Sequence, residues 1–252
     1  MSASPDSQTV LALEEVALNA WPALSVMARD GWLLRLAAGF TKRANSVHAL
    51  YPGREPIADK IAWAETVYRD AGRPAIFRLT PLAPAGLEEE LARRDYRVVE
   101  PSLVQVSDLD PCWRHDAGVI ISAVPDPIWT AAYARAAGLA PAQAEALAAM
   151  LAAVAAPVRL ARIEQEGIPI AFGMAVVERG TVGFFDMLTL PDFRRQGCGR
   201  RIMASLFAWA RGSGATRGTL QVVEANAPAR ELYGAFGFRP LYGYRYRVRP
   251  TA

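Results

Sequence analysis

The stretch from Thr181 to Arg211 constrains the fold more than any other part of the chain. TVGFFDMLT reads as a strand and PDFRRQGCG as a loop, after which Ile202, Met203, Leu206, Phe207 and Ala210 recur at helical spacing. A helix thus starts directly behind DFRRQGCGRR, which carries four arginines and two glycines in ten residues. Backbone N–H groups at a helix start point outward, and the helix dipole adds partial positive charge. Gly197 and Gly199 let an anion approach the backbone, and Arg194, Arg195 and Arg200 can add charge-assisted hydrogen bonds. The unit therefore reads as a cradle for a small-molecule phosphate. It lacks the GK[ST] ending of a loop for a magnesium-bound nucleoside triphosphate, and the glycine spacing of a dinucleotide-binding GxGxxG turn is absent.

The bulk properties narrow the partners. A net charge of +3 on 252 residues, without a block of consecutive Lys or Arg, argues against nucleic acid. MSASPDSQTV has no basic segment followed by an apolar run, so it reads as a disordered tail over residues 1–10 rather than a secretory signal. The Ala-rich stretch Thr130 to Pro157 is broken by Arg135, Gly138, Pro141, Gln143 and Glu145, which makes it two soluble helices and not a membrane span. Cys112 and Cys198 are far apart with no Cys/His spacing, so no metal site is expected and a reducing cytoplasm is the simplest setting. A monomer or a homodimer is compatible with all of this.

Element by element, the chain predicts an α+β protein with a mixed sheet, in two units. The first, over 11–110, opens with a helix over Leu11 to Ala28. Two short strands follow within Gly31 to Val47, joined around Ala38-Gly39. A helix over Pro56 to Asp70, a strand to Leu79, a helix over Gly86 to Arg94 and a strand over Arg97 to Val106 complete it. After a linker, the second unit, over 118–252, has a short strand, two Ala-rich helices, three strands, the arginine loop with its helix, a strand over Thr219 to Val223, a helix and a last strand. That last strand alternates Tyr242, Tyr244 and Tyr246 with Arg245, Arg247 and Arg249, giving one aromatic and one cationic face. ELARRDYRVVEPSLVQV and ELYGAFGFRPLYGYRYRV, which end the two units, are a weak internal repeat.

PDFRRQGCG, with Arg194, Gly197 and Gly199, resembles the R/Q-x-x-G-x-G/A pyrophosphate-binding motif of the GNAT acyltransferases. NAPARELYGAFGF, a strand and a loop further on, is similar to that superfamily's second signature through Asn226, Ala229, Tyr233 and Gly237-Phe238. GWLLRLAAGFTKRANSV looks like the N-terminal portion of tandem members, in which a degenerate GNAT-like half precedes the working one. The resemblance implies acetyl-CoA or a related acyl-CoA as donor. Its pyrophosphate would lie over Arg195, Gln196, Gly197, Cys198, Gly199 and Arg200, and its pantetheine beside Leu188 and Thr189. It further implies an oxyanion donor at the Leu188 N–H, Tyr233 as the acid for the leaving thiolate, and Asn226 as a hydrogen-bonding contact.

The attacking amine must lose a proton, and Asp186 and Glu224 are the candidate bases. Arg35, Arg43, Asn45 and Trp129 are the candidates for the acceptor side, against a bland reading in which they serve the domain interface or the core. Cys198 reads as an incidental small residue, and His48 and His115 as surface or capping groups. Three uses remain open: transfer to a small primary amine by direct attack in a ternary complex, transfer to a protein or peptide amine, and acyl-CoA sensing without catalysis.

Overall fold

A computed structural model of the chain describes residues 5–249. The expected N-terminal tail is helical from Ser7 onward: α1 spans Ser7–Ala20, capped by Asp6, whose carboxylate accepts from the Thr9 N–H at 2.8 Å. Val10 and Leu13 bury on this helix, which is why it holds; residues 1–4 of the expected tail lie outside the described residues. Pro22 prevents the helix from running on to Ala28, and β1 (Ser25–Arg29) and β2 (Trp32–Leu36) form a hairpin instead. Its turn is Asp30-Gly31, both at positive φ; the two strands expected within Gly31 to Val47 are β2 and β3 (Val47–Ala49), paired antiparallel through a connection that includes Ala38 and Gly39 at positive φ. An Asp-Gly pair suits a two-residue hairpin because its backbone twist matches that of the strands.

The first half continues through β3 (Val47–Ala49), α2 (Ile57–Asp70), β4 (Ile76–Leu79), α3 (Leu87–Arg93) and β5 (Arg97–Asp108). The second runs through β6 (Ile120–Ser122), α4 (Pro127–Ala136), α5 (Pro141–Ala152), β7 (Val158–Gln165), β8 (Ile168–Glu178), β9 (Thr181–Thr189), α6 (Cys198–Gly212), β10 (Arg217–Val223), α7 (Ala227–Gly234) and β11 (Arg239–Val248). All eleven strands form one sheet in the order β1-β2-β3-β4-β11-β5-β10-β9-β8-β7-β6. The sequence boundary at 110–118 falls between β5 and β6, yet the halves exchange their last strands. β5 pairs with β10 from Ser102↔Val223 to Asp108↔Arg217, while β11 pairs with β4 and β5. The internal repeat seen in the sequence consists of these exchanged strands and the helices before them.

The cores are shared as well. On one face of the β7–β10 region, Ile202, Met203, Leu206 and Phe207 of α6 pack over Phe184, Val182 and Leu220. On the other, Trp21 and Phe40 of the first half join Trp129, Tyr133, Leu147, Phe172 and Phe185 of the second. The tyrosine face of β11 is buried against Val10 and Leu13 of α1. Among the described residues, no helix is long and apolar enough to cross a membrane.

Candidate active site

Strands β9 and β10 run parallel but pair only from Thr181↔Arg217 to Phe184↔Leu220. Beyond that point β9 continues to Thr189 and β10 to Val223 without pairing to each other, so a wedge opens between them. A bulge marks its start. Phe185 faces Met174 and Leu188 faces Phe172, so Asp186 and Met187 together stand opposite the single residue Gly173. Asp186 itself has φ +52.

Beyond the bulge the antiparallel alternation decides which backbone groups face the wedge. The Leu190 N–H donates to the Ile170 carbonyl at 2.9 Å. Two residues earlier Leu188 stands opposite Phe172, so its amide also points at β8. This corrects the expected oxyanion role of the Leu188 N–H. Thr189 turns its backbone outward, and its carbonyl accepts from Arg194 Nε at 3.2 Å. This outward edge of β9 at Thr189 is the one along which the expected pantetheine arm would lie.

The arginine loop closes one end of the wedge. Gly197 caps α6 at φ +81, and Arg195 sits at φ +62. The first intrahelical bond recorded across this cap runs from the Arg201 N–H to the Gly197 carbonyl at 3.0 Å, leaving the amides of Cys198, Gly199 and Arg200 at the open helix end. A Cβ on Gly197 would meet nothing within 4 Å, so it would stand in the open space in front of those amides. On Gly199 it would come to 3.0 Å from Leu232 of α7. This cradle fits a phosphate group. Arg195 makes only a loose, exposed ion pair with Glu231 at 3.7 Å, Arg200 lies over the Trp113 ring at 5.0 Å, and Gln196 donates to the Asp192 carbonyl at 3.0 Å. Cys198 is buried in the α6 core, so only its backbone can serve the loop.

Helix α7 flanks the wedge. Asn226 caps it, its side-chain oxygen accepting from the Ala229 N–H at 3.2 Å, so that oxygen serves the helix rather than a ligand. Ala229 packs against the α6 core. Tyr233 is buried, and burial alone pushes its hydroxyl up to about 12.

Asp186 is the most perturbed carboxylate of the wedge. Burial raises it from 3.8 to about 6, against the pull of the Arg43 guanidinium and the Tyr133 hydroxyl, and its Oδ2 is buried without a hydrogen-bond partner. Glu224 is different. It is exposed just past the end of β10, its N–H donating to the Pro101 carbonyl at 2.8 Å and its carbonyl accepting from Arg230 at 3.1 Å.

The acceptor-side expectations divide. Arg43 reaches the wedge: its Nε donates to Gln221 Oε1 of β10 at 3.1 Å, and its guanidinium lies 5.4 Å from the Phe185 ring. Arg35 does not. It is buried with its guanidinium donating to the carbonyls of Arg43 (2.9 Å), Leu18 (3.3 Å) and Trp21. Asn45 is also structural, accepting from the Ala37 and Gly39 N–H groups and donating to the carbonyls of Phe40 and Thr41. Trp129 is core, its indole N–H donating to the Ala161 carbonyl at 2.9 Å. His48 is buried beside Ser46 rather than at the surface, and burial holds its ring well below its ordinary range. Sequence reasoning missed Tyr133, Gln221 and Trp21. Tyr133 follows Trp129 by one helical turn, the only sequence signal that placed it on the same face.

Comparisons with known proteins agree with this geometry. Residues 8–247 match the family described as Probable histone acetyltransferase Rv0428c C-terminal. The chain is 26% identical over 250 residues to an uncharacterized N-acetyltransferase, YobR, of Bacillus subtilis, covering 94% of this chain and 97% of that protein. A GCN5-related N-acetyltransferase from Kribbella flavida superposes with a TM-score of 0.69 at 18% identity, covering 100% of this chain and 98% of the other. A tandem GNAT protein from the clavulanic acid biosynthesis pathway superposes with a TM-score of 0.58 at 14% identity, covering 79% and 72%. With a wedge between β9 and β10, an anion cradle at α6 and a family match across nearly its whole length, the chain belongs to the Rv0428c C-terminal family of GNAT N-acetyltransferases.

Proposed function

We propose that the protein transfers the acetyl group of acetyl-CoA to a small primary amine by direct attack in a ternary complex. The observation that carries this reading is the half-buried carboxylate at the bulge, Asp186, whose Oδ2 is buried without a partner, raised to about 6 and set beside an open backbone edge. Acetyl-CoA, as the acyl donor, supplies a thioester. The α6 amides and Arg195 or Arg200 hold its phosphates, and the outward backbone of Thr189 aligns its pantetheine arm.

Asp186 accepts a proton from the acceptor ammonium, directly or through one water, which frees the nitrogen lone pair. The C–N bond then forms and the C–S bond breaks. Bulge N–H groups at Asp186 and Met187, which oppose only Gly173 on β8, are suited to stabilise the negative charge developing on the carbonyl oxygen. Tyr233, kept protonated across the physiological range, gives its proton to the leaving thiolate; the extra proton on the acylated nitrogen then passes to the phenolate, directly or through water, leaving a neutral amide and restoring Tyr233. In this reading residues 118–252 carry the donor site, the first half completes the acceptor side, and the enzyme works in the cytoplasm.

The name of the matched family gives a protein amine as the second reading. Trp21 and Phe40 of the first half cover the acceptor face of β9, which favours a small amine. The test measures acetyl-CoA affinity by calorimetry and acceptor-dependent CoA release over a panel of small amines and lysine peptides. Gly197→Glu should abolish both by placing bulk and negative charge before the α6 amides. Normal acetyl-CoA affinity in that variant would reject the cradle. Wild-type binding without acceptor-dependent release would favour a sensor, and release with peptides alone would favour the protein-directed reading.

A further inference from the structure

Arg43 is held more firmly than an arginine that merely covers a surface. Its carbonyl accepts from Arg35 Nη1 at 2.9 Å and lies 3.2 Å from His48 Nε2, so two buried side chains fix its backbone. Asn45 ties the preceding loop through both its amide oxygen and its nitrogen. Ala38 and Thr41 in that loop sit at φ +50 and +56, a conformation costly for residues with a Cβ and kept only where the surroundings impose it.

What this scaffold presents is a cation with one edge in use. The guanidinium lies near the rings of Phe185 (5.4 Å) and Trp21 (6.0 Å), and its Nε donates to Gln221. Among the described residues the buried ion pairs join Arg78 to Glu14, Lys60 to Asp30 and Arg162 to Asp126, and Arg43 belongs to none of them. Its other edge, the fork of terminal nitrogens, has the geometry for a bidentate carboxylate.

The donor does not account for that edge. Its phosphates belong to the cradle at the N-terminus of α6, a helix that covers the opposite face of the sheet from Trp21 and Phe185. The pantetheine arm along β9 is uncharged. Asp186 feels the Arg43 charge, but its Oδ2 takes no hydrogen bond from the fork, which leaves the terminal nitrogens open to a second carboxylate that the acceptor would bring.

We infer that the acceptor is a primary amine bearing a carboxylate, with Arg43 binding the carboxylate while the amine faces Asp186. This rests on the acetyltransferase reading above and narrows its substrate class to amino-acid-like zwitterions. Gln221 positions the guanidinium through Nε, and Phe185 and Trp21 keep it in the wedge.

The test compares CoA release with a panel of amino carboxylates and with the carboxamides of the same amines, in the wild type, Arg43→Gln and Arg43→Lys. In the wild type, kcat/KM for the carboxylates should exceed that for the carboxamides by about tenfold to a hundredfold, mostly through KM, as for a charge-assisted pair. The ratio should fall toward one in Arg43→Gln and be partly kept in Arg43→Lys. A second arm needs no turnover: with CoA bound, amino carboxylates should raise the Tm of the wild type and leave that of Arg43→Gln unchanged, acetyl-CoA affinity serving as the check on folding.

Equal rates for the two forms in the wild type, or a preference that survives in Arg43→Gln, overturn the inference. So does an Arg43→Gln pH profile that moves while the preference stays, since Arg43 would then act only on Asp186. Turnover of neutral amines alone removes this inference and leaves the transferase reading intact. Acetyl-CoA binding with neither release nor a Tm shift from any amine removes both.

Discussion

Replacing Asp186 by Asn should make the protein more stable and nearly inactive, two effects of one half-buried carboxylate. Folding raises this group from 3.8 to about 6. A carboxyl whose pKa rises on folding favours the native state below about pH 4 and loses that advantage as pH climbs through about 6. Two units at 1.36 kcal/mol each put the cost of the charged form at about 3 kcal/mol above that range. The asparagine escapes this cost but weakens the contact with the Tyr133 hydroxyl, worth about 1 kcal/mol. A net gain of about 1–2 kcal/mol at pH 8 remains, a rise of roughly 2–8 °C in Tm for a chain of this size. Thermal melts of both proteins at pH 8 and pH 4 check the sign, because the difference should close at the lower pH. A base contributes about 10²–10⁴ to the rate, so kcat/KM in the CoA-release assay should fall by that much. The wild-type profile should also lose activity below about pH 6, where the carboxylate is protonated. A variant within about threefold of wild-type kcat/KM, or a wild type without that acid limb, would refute the assignment of Asp186 as the base.

Two further substitutions separate chemistry from scaffold. Tyr233→Phe should lower kcat by about a hundredfold or more, the weak end of general-acid effects or above, while acetyl-CoA affinity by calorimetry and Tm change little. Burial is the only influence on this phenol, so no partner is stranded by its removal; unchanged turnover would remove Tyr233 as the acid. Glu14→Gln should cost about 3–5 kcal/mol, because it leaves Arg78, paired to Glu14 at 2.7 Å with both side chains almost fully buried, as an uncompensated charge. Chemical denaturation measures this, and a loss below about 1 kcal/mol would mean that water or Tyr244 takes over the pairing.

The loop and helix start proposed to hold the donor were legible in the sequence because they are local. A strand, two glycines and an amphipathic helix fall within about thirty consecutive residues, and a loop of that kind keeps its meaning wherever the fold places it. Asp186 was visible as a carboxylate on a strand, but its burial arises from a bulge opposite Gly173 on another strand. The acceptor side was only partly legible, since polar residues on strands read alike before packing sorts them. Arg35 and Asn45 turned inward to satisfy the backbone around Ala37 to Arg43, and only Arg43 was left to cross into the wedge. Trp129 behaved as large aromatics at helix starts commonly do and filled the core. Asn226 stood in the expected motif, yet its oxygen was already committed to the α7 cap.

The exchanged strands explain why the first half persists without a cradle of its own. Removing it would strip β5 from the whole length of β10, from Arg217↔Asp108 to Val223↔Ser102, and leave β11 without both of its partners. The wedge would then be bounded on one side by a bare edge strand, which is free to slip in register or pair elsewhere. It would also uncover Phe185, now stacked on Trp21 at 6.2 Å, and take away Arg43 and the Arg78–Glu14 pair that both reach toward Gln221. Gln221 is where these lines meet: its side-chain oxygen accepts from Arg43 at 3.1 Å and from Arg78 at 3.4 Å, joining two first-half cations to a second-half strand. In the proposed reading the acceptor side is thus built jointly, Arg43 of the first half meeting Gln221, Phe185 and Asp186 of the second, so a change in the first half could alter acceptor choice while leaving the α6 loop in place.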